Sequence, residues 1–72
     1  MPKYRCFFID FRNHIANVAI AEHADDGAAY DWAAELLAGQ AVVLYRAVEV
    51  WEAGRIVCRH DRRSGPGAAG AN

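Results

Sequence analysis

Near its start the chain runs Cys6-Phe7-Phe8-Ile9 without a polar interruption. Side chains on a strand alternate between two faces, so an unbroken apolar run asks for cover on both. The rest of this 72-residue chain offers one good amphipathic helix, and one helix covers one face. The other face needs a second chain or a folded-back segment. The imbalance points to self-association and names no chemistry.

Four strands and one helix can be traced. Residues 3–11 read as an aromatic strand. Arg12-Asn13-His14 is a polar break suited to a hairpin turn. Residues 15–21 form a second strand, whose small apolar side chains suit a sheet edge. Asp25 or Asp26 then supplies a helix cap and favourable charge at the positive end of the helix dipole. Ala29, Trp32, Ala33, Leu36 and Leu37 fall at i, i+3, i+4, i+7 and i+8, on one face. Asp31 and Glu35 fall on the other, and Gly39 is expected to stop the helix in a left-handed cap. The third strand covers residues 46–51, with a start left open between Val42 and Tyr45. Glu52-Ala53-Gly54 is a turn, and residues 55–59 form the fourth strand.

The fold class expected is α+β, in the order ββαββ: a four-stranded, mainly antiparallel sheet with the helix across one face. Tyr4, Cys6 and Phe8 would face the helix with Val48 and Val50. Phe7, Ile9 and Trp51 would lie opposite, as an exposed aromatic patch of the kind that marks interfaces. Residues 1–60 form a single domain, and residues 61–72 are too polar and Gly-rich to repay ordering, so a disordered tail is expected.

Composition narrows the function classes. A chain this short buries only about 60% of its unfolded surface, so a partner surface would aid stability. A net charge of −1 provides no whole-protein field for nucleic acid or acidic membranes. Only four apolar residues separate Arg5 from Asp10, too few for a secretory signal, and no segment approaches the roughly 20 apolar residues of a membrane span. A cytoplasmic location is expected, with Cys6 and Cys58 reduced.

Lys3-Tyr4-Arg5-Cys6-Phe7-Phe8-Ile9-Asp10, Asn13-His14-Ile15, Ala47-Val48-Glu49-Val50-Trp51-Glu52 and Arg55-Ile56-Val57 form a pattern. It resembles a group of short, uncharacterised bacterial proteins of unknown function. These share an aromatic first strand, an Asp…His-Ile turn, a small amphipathic helix and an Ala-Val-Glu-Val-Trp strand. The resemblance spans roughly residues 3–59. It implies the small α+β fold and carries no activity. Residues 41–45 depart from the group's polar, often proline-bearing connection.

Reactive groups are sparse. Ser64 is the only serine and threonine is absent, so a hydroxyl nucleophile would have to work from the loose tail. Cys6 or Cys58 with His14 or His60 invites a thiol reading, but a free cysteine is more usually a small buried hydrophobe. Cys58 and His60 point the same way on a strand, yet no paired metal-ligand spacing exists. His14 reads as a turn residue and His23 as a solvated one. Asp10 and Glu49 interrupt apolar strands and would flank one another as an acid pair, or simply pair with Arg5, Arg12 or Arg46.

The function expected is a self-associating interaction module, a homodimer in contact through Phe7, Ile9 and Trp51. No catalytic, cofactor-binding or metal-ligating residues and no membrane partner are expected, and an enzymatic role is disfavoured but left open. The alternative is a nucleic-acid accessory protein that uses Arg55, Arg59, Arg62 and Arg63, with Tyr45 and Trp51 available to stack bases.

Overall fold

Strand β1 (Lys3–Asp10) pairs on one side with β2 (Ile15–Glu22) and on the other with β3 (Tyr45–Glu52), which in turn pairs with β4 (Arg55–Asp61). The computed structural model describes residues 1–39 and 44–62. Every pairing is antiparallel, and the strand order is β2-β1-β3-β4. The expected ββαββ architecture is the one observed, with β2 at an edge. Residues 41–43 and the tail beyond Arg62 lie outside the described residues, as do Arg63 and Ser64. β3 begins at Tyr45, and β4 runs two residues past the expected Arg59, to Asp61.

The single helix, α1 (Asp26–Ala38), is set by its caps and its stripe. Asp25 is the N-cap, accepting the Ala28 N–H at 2.8 Å. Ala29, Ala33 and Leu37 are buried, with Trp32 and Leu36 packed beside them. The C-terminal end departs from expectation. Gly39 has φ −79°, so the helix closes without a left-handed residue, on the Gly39 N–H to Glu35 C=O bond at 2.9 Å.

Under the helix lie Tyr4, Cys6, Phe8, Val48 and Val50, all buried. Register explains the set. Cys6 pairs with Val50 and Phe8 with Val48, so these residues share a face. Both hairpins use left-handed residues: Asn13 (φ 66°) in the first, Ala53 (φ 57°) and Gly54 (φ 105°) in the second. Asp10 organises the first. Its Oδ1 accepts the N–H groups of Arg12 and His14, each at 2.9 Å, and the bond from the His14 N–H, ahead of that from Arg12, lowers its pKa.

The helix is not centred on the sheet. It packs over β3 and β4, and three side chains near β4 hold it there. The Arg55 guanidinium donates to both carboxylate oxygens of Asp26, at 2.9 and 3.2 Å. His60 Nε2 lies 3.0 Å from the Tyr30 carbonyl, its ring edge-on to Tyr30. Arg62 donates to the carbonyls of Leu37 and Tyr45. A helix held against β4 leaves most of β2, at the opposite edge, exposed, with Ala19 and Ala21 half-buried on the helix side and Ala19 packed at the margin of the core.

Candidate self-association surface

β2 carries the least buried apolar surface of the sheet. Ile15 is 65% exposed, Val18 44% and Ile20 54%. Val18 pairs with Phe7 and Ile20 with Arg5, which places both on the face away from the helix. Phe7 itself is half-buried. The contiguous apolar patch therefore runs from β1 outward over β2.

Two of the three expected contact residues are partly available, and one is not. Phe7 and Trp51 are half-buried on the open face. Ile9 is only 8% exposed. It lies on an inner strand between Ile15 and Ala47, at register breaks against both neighbours, so its side chain is shielded within its own chain. Trp51 is also occupied, since its indole N–H donates to Glu49 Oε1 at 3.2 Å. Sequence reasoning missed Val18 and Ile20. Their signal was the apolar character of even-numbered residues on a strand already placed at an edge.

The main chain of β2 offers a second feature. Beyond the strand, the His23 N–H donates to the Pro2 carbonyl at 3.1 Å. By alternation, Ala21, Ala19 and Asn17 direct their main-chain groups at β1, while Val18, Ile20 and Glu22 direct theirs outward. The Val18 N–H follows this rule. It donates to Oδ1 of the preceding Asn17 at 2.8 Å and not to β1. Glu22 is the only charged residue in β2.

The opposite half of the open face is charged and internally paired. Arg59 donates to Glu49 at 2.6 Å and to Asp61 at 3.0 Å. Asp61, then Glu49, raises the pKa of Arg59. Arg55 bonds Asp26 and Glu52, and Asp26 raises its pKa most. Arg62 is turned to carbonyls near the helix. The three described members of the arginine cluster thus each hold partners within the chain, spread over both faces and the end of the sheet.

The remaining chemical candidates are separated by the fold. Glu49 sits opposite Phe7 and Asp10 opposite Tyr45, so the two carboxylates do not flank one another. Glu49 pairs with Arg59 instead of the arginines expected for it. Cys6 and Cys58 are not neighbours, because Val50 of β3 lies between them. Two strand spacings, roughly 10 Å, exceed the reach of a disulfide. Burial pushes the Cys6 thiol up to about 11 and raises that of Cys58 as well. Among the described residues no three His, Cys, Asp or Glu side chains gather as a metal site.

His23 was expected in solvent and is instead half-buried. Its ring centroid lies 4.6 Å from that of Trp32 and 5.9 Å from that of Tyr4. Its Nε2 is buried without a hydrogen-bond partner. Two apolar rings that converge from β1 and α1 capture the imidazole, a contact no local pattern announces.

Among the described residues no helix is long and apolar enough to cross a membrane. No family model, curated protein or solved structure matches the chain.

Proposed function

We propose that this protein is a self-associating interaction module that works through the β1–β2 side of its sheet, at the unguarded β2 edge and the uncovered face beside it. The observation that carries the reading is the exposed apolar stripe of Val18 and Ile20 beside Phe7, on an edge strand with a single charge. Edge strands are ordinarily guarded by charge, proline or a covering element. β4 carries such a guard in Arg55, Arg59, His60 and Asp61, while β2 has only Glu22. Apolar surface in contact with water favours association at roughly 25 cal/mol per Å² removed from solvent.

The alternative, phosphate binding by the arginine cluster, gains no support from the arrangement of Arg55, Arg59 and Arg62, whose guanidinium groups are already paired.

Sedimentation equilibrium tests the proposal. The full chain is expected above its 7.9 kDa monomer mass at tens of micromolar. Val18→Lys with Ile20→Lys is expected to return it to monomer, and Trp51→Ala to weaken association less. A wild-type monomer throughout that range overturns the reading.

A further inference from the structure

We infer that two copies join edge to edge through β2, antiparallel about a two-fold axis at Ala19, to give one sheet continuous across both chains. The inference rests on the self-association reading above and adds its geometry.

Three observations select a second copy as the occupant of this edge. Main-chain groups of Val18, Ile20 and Glu22 point outward, as the Asn17 contact to the Val18 N–H shows at one of them. The sequence around Ala19 is self-complementary when reversed. Val18 meets Ile20 of the second copy, Asn17 meets Ala21 and Ala16 meets Glu22. A two-fold interface needs this property, because each surface must fit itself. Charge agrees with it, since the register carries the two Glu22 carboxylates to opposite ends of the pair, each across from an alanine.

In that register Val18 and Ile20 each exchange main-chain bonds with the other residue of the second copy, about four in all. Their side chains become cross-strand neighbours on the open face, where β-branched pairs stabilise a sheet. Ala19 meets Ala19 at the axis, on the helix side, in a pair without mutual hydrogen bonds. The helix lies over β3 and β4, so what stands at the axis is the small Ala19 side chain, itself half-buried at the margin of the core. One intrachain contact must open: Asn17 Oδ1 competes with the second copy for the Val18 N–H.

Cysteine cross-linking in the full chain tests the geometry, with Cys58 and also Cys6, which lies directly across from Ala19 on β1, replaced by Ala. Residues facing each other in such a pair have Cα atoms about 4.5 Å apart, within reach of a disulfide. Ala19→Cys alone is therefore expected to oxidise to a covalent dimer. Asn17→Cys and Ala21→Cys are expected to link to each other when mixed, and neither to itself. Asn17→Ala is expected to tighten association several-fold by freeing the Val18 N–H. Copies stacked through their open faces would hold the two Ala19 residues on far sides of the sheets, well over 10 Å apart. A wild-type dimer whose Ala19→Cys and mixed Asn17→Cys/Ala21→Cys forms do not cross-link overturns edge pairing and leaves self-association standing. Linking of Ala19→Cys to Ala21→Cys in place of these pairs overturns the Ala19 register. A wild-type monomer at every concentration overturns both readings and leaves the edge to a strand of another protein.

Discussion

The Tyr4 hydroxyl donates to Oδ1 of Asp26 at 2.8 Å, joining the first strand to the first turn of the helix across 22 positions of sequence. Asp26 also takes both bonds from Arg55, and Arg55 reaches on to Glu52 at 3.0 Å. One carboxylate thus ties β1, α1 and the β3–β4 hairpin together. Its position in the first turn also suits the helix dipole.

The network has a pH signature. Arg55, and after it Tyr4, hold the Asp26 carboxyl below its ordinary pKa. Its contribution to stability is present above the ordinary carboxylate pKa and is lost as pH falls through the lowered value. Asp10 acts in the same direction. Burial, then the bond to Asp26, raises the Tyr4 phenol. That contribution is present below the ordinary phenol pKa and is lost as pH rises through the raised one. Thermal melts are expected to fall off at both extremes. Asp26→Asn should flatten the acid limb, and Tyr4→Phe should abolish the Tyr4 part of the alkaline limb. An acid limb unchanged in Asp26→Asn would place the linkage elsewhere.

The second hairpin holds a local conflict that mutation can relieve. Ala53 adopts φ 57° and Gly54 φ 105°, the pattern of a tight two-residue turn. Glycine accepts that backbone freely, but alanine does so at a steric cost. Ala53→Asn is expected to stabilise the protein by roughly 0.5–1 kcal/mol, because asparagine tolerates the left-handed region. Gly54→Ala should destabilise it by about 1 kcal/mol or more, although nothing crowds the added methyl. Urea melts read both changes as shifts in midpoint at constant slope.

Legibility in the sequence followed the range of the interaction. Alternation in β1 and β3 placed Tyr4, Cys6, Phe8, Val48 and Val50 under the helix, because a period of two is a local property. Spacing placed Ala29, Ala33 and Leu37 for the same reason. Where the helix would sit on the sheet was not local. Arg55, His60 and Arg62 decide it by reaching back to Asp26, Tyr30 and Leu37, pairs separated by 25 to 30 residues. The exposure of β2 follows from that placement, so Val18 and Ile20 could not be ranked above Trp51 beforehand. The burial of Ile9 was hidden for a related reason, since alternation gives the face but not the local shielding by cross-strand neighbours. Asp10 was visible as an interruption, but its work as a turn acceptor required the coordinates of the Arg12 and His14 N–H groups.

The imidazole of His23 gives a stability prediction with a sign opposite to the usual one. Its ring packs against Trp32 and Tyr4, while Nε2 is buried and unpartnered. A buried polar atom without a partner costs about 1–3 kcal/mol. His23→Phe keeps an aromatic ring there and removes the orphaned nitrogen, so it should be neutral or stabilising by up to about 1 kcal/mol. His23→Ala removes the ring as well and should destabilise by about 1–2 kcal/mol. Chemical denaturation of the pair separates the two contributions. If both variants lose the same stability, the nitrogen has a partner in solution.

The two thiols should differ in reactivity. Cys6 has no exposed surface, and burial holds its pKa near 11, so almost none of it is thiolate at neutral pH. Cys58 is half-buried, with its pKa also raised by burial. A thiol reagent should therefore modify the native protein at Cys58 alone, slowly at pH 7 and faster as pH rises. Cys6 should react only in denaturant. Val50 separates the two strands, so mild oxidation should form no bridge within a chain. Mass spectrometry of the native and unfolded protein after labelling reads all three expectations. An intrachain disulfide in the native state would require β1 and β4 to be adjacent, and would disprove the strand order on which the uncovered β2 edge depends.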